Sequence, residues 1–143
     1  MLVRAGESEV ERSMAGRVVF FLQSGGYQPA YQAASMGLTA AALGDSVVFV
    51  FAFDALRQLA RGDFGRPQSD REVVESARAE GLGVAPPATM LAEARGLGAR
   101  CLACDTMLRL SGIPADEAEQ VLDEVVGLAA LWRLTEGARL LSF

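Results

Sequence analysis

The sequence predicts an α/β domain built on a parallel sheet with helices over both faces. Three observations carry that expectation. Short apolar runs such as Val18–Leu22 and Val47–Phe53 have strand length and no polar alternation, the pattern of strands buried on both sides. Segments with helical periodicity separate these runs. Glycine or proline punctuates most junctions between the two kinds of segment.

Met1 to Gly16 is polar and reads as a flexible tail (residues 1–16) ahead of a single domain over residues 17–143; Met14 offers a second start. Val18–Leu22 is the first strand, ended by Gln23-Ser24-Gly25-Gly26. Pro29–Leu43 is Ala-rich and stops at Gly44, a good helix terminator. Val47–Phe53 is the second strand, and Asp54 is placed to cap a short helix through Leu56 and Leu59. After a Gly/Pro loop from Gly62 to Gln68, Ser69 and Glu72 have capping-box spacing, with Val73, Val74 and Ala77 on one helical face as far as Gly81. Met90, Leu91, Ala94 and Leu97 mark another amphipathic helix, stopped by Gly98. Arg100–Ala103 is the third strand, and Asp105–Leu110 starts a helix that Gly112 ends. Pro114 opens the next helix, with acidic residues in its first turn as the helix dipole prefers. Val125-Val126 is a short strand or the end of that helix, Leu128–Leu134 is helical, and Leu140–Phe143 is a final strand.

Composition removes most chemistries. The chain of 143 residues is 51% hydrophobic, which suits one domain with a real core. It contains no histidine, no lysine and no asparagine. A Ser-His-Asp triad, a Cys-His pair, a Schiff-base nucleophile and a P-loop lysine are therefore all excluded. Two cysteines without histidine make a poor zinc set, so no metal and no cofactor are expected. The formal net charge of −5 argues against nucleic acid and against anionic membrane surfaces. Glu7, Glu9 and Glu11 stand where a secretory signal would need its apolar core. With no apolar run near the ~18 residues of a membrane span, the expected compartment is the cytoplasm.

Three stretches resemble a known family. The first is Val18–Phe53, with Ala33-Ala34-Ser35-Met36, Ala42-Leu43-Gly44-Asp45-Ser46-Val47 and Phe49-Val50-Phe51-Ala52-Phe53-Asp54-Ala55-Leu56. The second runs from Met90-Leu91-Ala92-Glu93-Ala94-Arg95 through Gly98-Ala99-Arg100-Cys101-Leu102-Ala103-Cys104 to Ser111-Gly112-Ile113. The third is Gly127-Leu128-Ala129-Ala130 with the closing Arg139-Leu140-Leu141-Ser142-Phe143. Together they resemble the DsrE/DsrF-like proteins, in which a strand ends in Ala-Cys and a short helix closing in Gly-Ile follows. Here the pair is Ala103-Cys104 and the closure Gly112-Ile113. The resemblance implies a three-layer αβα sandwich, flavodoxin- or Rossmann-like, with about five mostly parallel strands. It also implies oligomers and, in the sulfur-trafficking members, a cysteine that carries a persulfide. Two positions depart from the family pattern: Asp105 directly follows the cysteine, and Met107-Leu108 stand where a Ser-Met pair is often seen.

Residue chemistry alone makes Cys104 a small buried hydrophobe; the resemblance makes it the catalytic sulfur. A helix N-terminus after it favours a thiolate, Asp105 opposes a second negative charge, and Arg109 stands one turn on, where it can offset Asp105. Ser24, Gly25 and Gly26, between a strand and a helix, form a turn whose N–H groups could meet an anion. In the folded sheet that loop could share a pocket edge with Cys104, lined by Tyr27 and Gln28. The expected substrate-binding set is thus Ser24, Gly25, Gly26, Tyr27, Asp105 and Arg109. Cys101 and Cys104 have Cys-x-x-Cys spacing, but on an extended strand they lie about 10 Å apart on opposite faces, beyond the roughly 7 Å a disulfide allows. Cys101 is therefore expected in the core. Phe49, Phe51 and Phe53, and Leu128, Leu131 and Trp132, are expected in the core or a subunit interface, and the acidic pairs Asp116-Glu117 and Asp123-Glu124 on solvated faces. The functional expectation is a sulfur carrier exchanging with donor and acceptor proteins. The alternative is an oligomeric ligand- or partner-binding module without a catalytic thiol. In both, surplus apolar surface points to a homo-oligomer.

Overall fold

A computed structural model of the protein describes residues 16–143, so all of the expected tail but Gly16 lies outside the described residues. Five strands, β1 (Arg17–Leu22), β2 (Ser46–Phe51), β3 (Arg100–Cys104), β4 (Glu124–Val126) and β5 (Arg139–Ser142), form one parallel sheet in the order β4-β3-β2-β1-β5. The helices among the described residues are α1 (Tyr27–Ala42), α2 (Phe53–Arg61), α3 (Asp70–Gly81), α4 (Pro87–Gly96), α5 (Asp105–Ser111), α6 (Ala115–Val121) and α7 (Leu128–Leu134). The result is a three-layer αβα sandwich of the Rossmann or flavodoxin-like kind. Among the described residues no helix is long and apolar enough to cross a membrane.

Topology decides which helix covers which face. From β1 to β4 the chain steps in one direction across the sheet, then crosses back beyond β1 to place β5. Right-handed crossovers put the connections of the first three steps on one face and the return connection on the other. Helices α1, α2, α4, α5 and α6 accordingly pack over Phe20, Phe49, Phe51, Cys101 and Ala103. Helix α7 packs by Leu131 over Val19, Val48, Val50 and Leu102.

The first face is tightly keyed. The Phe20 and Phe49 rings stack with centroids 5.3 Å apart, and Phe51 meets Phe64 edge-on at 5.6 Å. Gly37 in mid-α1 rests on the Phe49 ring; a Cβ there would lie 2.2 Å from a ring carbon. Glycine costs helix stability of about 1 kcal/mol, and here it admits the ring.

Several boundaries differ from expectation for local reasons. Helix α1 begins at Tyr27, two residues before Pro29, because proline is tolerated in a first turn where its missing N–H has no partner. Strand β2 stops at Phe51 rather than Phe53. The Ala52 N–H donates to the Leu22 carbonyl and the Ala55 N–H to the Gln23 carbonyl, at 2.8 and 3.0 Å, which ties the chain to the loop after β1. Making that turn puts Phe53 at φ +48° in the left-handed region, with its ring 45% exposed instead of in the core. Asp54 does not cap α2: Ala52 holds the cap position, and the Asp54 carboxylate pairs with Arg57 at 2.7 Å. The Ser69 cap forms as expected, accepting from the Glu72 N–H at 3.1 Å, while Glu72 accepts from the Gln68 N–H at 2.9 Å. Helix α3 buries no residue, however, and Val73 and Val74 face out.

Candidate functional site

Strand β3 presents its two cysteines to opposite faces. Cys101 lies in the aromatic core, fully buried, and Cys104 packs at the edge of the aliphatic cluster, beside Val126 in register on β4. Both thiols are free, as the opposite-face reading requires. Burial pushes the Cys101 thiol up to about 12, with Arg95 opposing and Asp123 reinforcing, so it stays protonated at neutral pH.

Cys104 is half-buried and ends β3 at the carboxyl edge of the sheet, where open α/β folds bind ligands. It occupies the cap position of α5 in extended conformation, with φ −76° and ψ 138°. Asp105 turns its carboxylate to Arg109, with 3.0 Å between oxygen and nitrogen. The arginine thus balances the aspartate, the arrangement that the one-turn spacing allows. The pair is exposed, so its contribution to stability is about 0–1 kcal/mol.

The other expected site residues do not gather around the sulfur. Ser24, Gly25 and Gly26 border a polar cleft of about 320 Å³ whose remaining walls are Asp54, Gln58, Arg61 and Gln68. Strand β2 separates β1 from β3, so the loop after β1 stands two strands from Cys104, about 10 Å across the sheet. Gly25 has a packing reason: a Cβ there would fall 2.4 Å from the Gln58 Oε1 and 3.0 Å from the Ala55 Cα. Tyr27 and Gln28 line a different cleft, between α1 and α3. The shared pocket edge expected for the loop, Tyr27 and Cys104 is therefore divided into separate places.

Two features escaped the sequence reading. Asp123 lies on an exposed face, as expected, but its carboxylate is engaged on both oxygens. Its Oδ2 accepts the Cys101 N–H at 2.7 Å and its Oδ1 accepts from Arg95 at 2.8 Å, tying α4 to β3 and to the entrance of β4. No local pattern announces this, because Arg95 is 28 positions away. Burial alone would raise the Asp123 carboxyl; the Cys101 N–H, Arg95 and Arg100 outweigh it and hold the carboxyl below its usual range. The second feature is Phe53, a bulky left-handed residue at the carboxyl edge between the Ser24 loop and Cys104. Such conformations are strained for a residue with a Cβ and concentrate at functional sites.

Trp132 and Leu128 also depart from core packing: Leu131 carries the inward contact of α7 while Trp132 is 71% exposed and Leu128 stands out beside it. Among the described residues no group of three or more histidine, cysteine or carboxylate side chains is placed to hold a metal ion. Comparison with known proteins finds no family model that matches this chain and no curated protein that matches it.

Proposed function

We propose that the protein carries sulfane sulfur as a persulfide on Cys104. The observation that supports this reading is the position of that cysteine: only partly buried, at the carboxyl edge of the sheet, while the only other thiol is sealed in the core. The resemblance of Ala103-Cys104 through Gly112-Ile113 to the DsrE/DsrF-like motif agrees with it. The chemistry also suits a chain without histidine or lysine, because thiolate exchange at sulfur requires neither. In the first step the Cys104 thiolate attacks the outer sulfur of a donor persulfide, R–S–SH. The donor S–S bond breaks, R–S⁻ leaves, and Cys104–S–SH remains. In the second step an acceptor thiolate attacks that outer sulfur, and Cys104 leaves as the thiolate. Both steps conserve charge and change no net oxidation state. No second thiol competes for the sulfur within the strand, since Cys101 faces the other side of the sheet.

The test is polysulfide treatment followed by intact mass measurement. The expected result is a gain of one sulfur that disappears in Cys104→Ser and persists in Cys101→Ser. No gain, or a gain that follows Cys101, overturns the reading.

One observation favours the second reading, an oligomeric module without thiol chemistry. Leu128 and Trp132 on α7 and Leu140 on the same side of β5 are exposed apolar residues. A homo-oligomer would cover such a surface. Under this reading Trp132→Glu lowers the mass seen by sedimentation, and the Cys104→Ser variant is indistinguishable from the parent in every assay.

A further inference from the structure

Helix α3 is inside out. Its half-buried positions are Glu72, Glu75, Ser76 and Ala79, spaced i, i+3, i+4 and i+7 as an inward stripe should be. Three of these four positions are polar, while the valines at positions 73 and 74 face solvent. The helix is nonetheless well formed, with a Ser69 cap at one end and Gly83 at φ +77° just past the other. Burial of apolar surface does not explain why this helix faces the way it does.

Two residues of the stripe, Glu75 and Ala79, line a cleft of about 620 Å³ between α3 and the start of α1. That volume lies within the ~300–1,000 Å³ of small-molecule sites. The opposing wall is aromatic: Tyr27 and Tyr31, with ring centroids 6.0 Å apart and tilted by 41°. Tyr27 is itself almost fully buried, so this wall is fixed. Leu82 and Val84 add apolar surface at the far end. Two opposite charges from α3, Glu75 and Arg78, line the same cleft. They stand three residues apart, close enough to pair with each other, yet among the described residues neither has an ion-pair partner. The Glu75 Oε1 is buried with no hydrogen-bond partner, whereas the inward Glu72 has one in the Gln68 N–H. A buried, unpaired carboxylate oxygen is costly and calls for a donor.

We propose that this cleft binds a small amphoteric amine, an α-amino acid with an apolar or aromatic side chain. The ammonium group meets the Glu75 carboxylate and the face of the tyrosine pair, where a cation is favoured. The carboxylate of the ligand meets Arg78, whose planar fork suits it. The apolar side chain lies along Leu82 and Val84. The site is separate from Cys104: α1 packs on the aromatic side of the sheet, and the sulfur belongs to the other.

Calorimetric titration with L-phenylalanine, 2-phenylethylamine and 3-phenylpropionate tests the assignment. Phenylalanine should bind saturably with a dissociation constant near or below about 1 mM. The amine and the acid, each lacking one charge, should bind at least about tenfold more weakly. Glu75→Gln should weaken phenylalanine binding by about tenfold or more, and Cys104→Ser should leave it unchanged. Glu75→Leu separates a binding role from a structural one: it should abolish binding while raising Tm, because an apolar residue suits that inward position. The proposal is overturned if phenylalanine fails to bind at millimolar concentration. It is also overturned if either singly charged analogue binds as well as phenylalanine, or if Glu75→Leu lowers Tm.

Discussion

On the side of the sheet that carries α1, α2, α4, α5 and α6, the core is built of phenylalanine rings locked against a helical glycine and fixed by helix-to-strand polar ties. On the side that carries α7, it is built of valine and leucine under a helix of seven residues, which exposes Leu128 and Trp132 on its outer surface. The two cysteines of β3 sample these environments three residues apart. The strand pleat, with its period of two, turns that small separation into opposite faces. A sulfur in the aromatic core is inert by enclosure, and a sulfur at the edge of the aliphatic layer remains within reach of other molecules. Access, rather than any catalytic partner, is what distinguishes Cys104.

The sharpest break of that comparison is chemical. A thiol reagent such as DTNB should modify one cysteine in the native protein and the second only on unfolding. Reaching Cys101 requires opening the core, so its modification should be slower by a factor on the order of 10³ or more. Labelling in Cys104→Ser should then fall to the slow phase alone. Equal rates for the two thiols would dissolve the distinction between the faces.

The next largest effect compares two large aromatic residues. Phe49→Ala removes a ring that fills the space over Gly37 and should cost about 3–5 kcal/mol in urea denaturation. Trp132→Ala, on the exposed side of α7, should cost less than about 1 kcal/mol in the monomer. A large loss at Trp132 would mean that α7 is stabilised through its outer face, as an oligomer would require.

These contrasts also mark what could be read from residues alone. Strand identity was legible in Val18–Leu22 and Val47–Phe53 because double-sided burial leaves an unbroken apolar run, although the second strand ends two residues earlier than that run. The separation of Cys101 from Cys104 followed from the pleat. The site was less legible. Gathering Ser24, Tyr27 and Cys104 into one pocket needed the order of strands, and β2 lies between the relevant edges. Helix α3 misled for a different reason. Val73, Val74 and Ala77 have the spacing of an inward face, but the half-buried stripe falls on Glu72, Glu75, Ser76 and Ala79. Periodicity locates a helix, and only the tertiary neighbours say which side turns inward. Asp123 was hidden because its partners are distant in the chain.

Asp123 offers the third test, since on the aromatic side of the sheet it ties α4 to β3. Asp123→Ala leaves the Cys101 N–H without its acceptor and Arg95 without its ion, and should cost about 1–3 kcal/mol. The pH dependence has a definite sign. A carboxyl held below its ordinary range contributes fully above the unfolded value of about 4, and that contribution fades as pH falls through the folded value. Acid unfolding followed by circular dichroism should therefore show a shallower loss of stability below about pH 4 in Asp123→Asn than in the parent. An identical acid limb would remove Asp123 from the account of how this face is held.

The smallest expected effect concerns Phe53, which leaves β2 at the boundary between the two faces. Its left-handed backbone costs roughly 1–2 kcal/mol for a residue with a Cβ. Glycine relieves that strain but loses about 0.5–1 kcal/mol through the greater freedom of the unfolded chain. The ring is 45% exposed, so its removal forfeits little burial. Phe53→Gly should therefore be neutral or stabilising by up to about 1 kcal/mol, raising Tm by no more than about 3 °C. Phe49→Gly, four residues earlier within β2, should be severely destabilising. If Phe53→Gly keeps or gains stability while polysulfide loading of Cys104 slows, the strained ring serves the sulfur edge. If it loses stability on the scale of Phe49, the ring is packing, and the carboxyl edge of the sheet is shaped by the core alone.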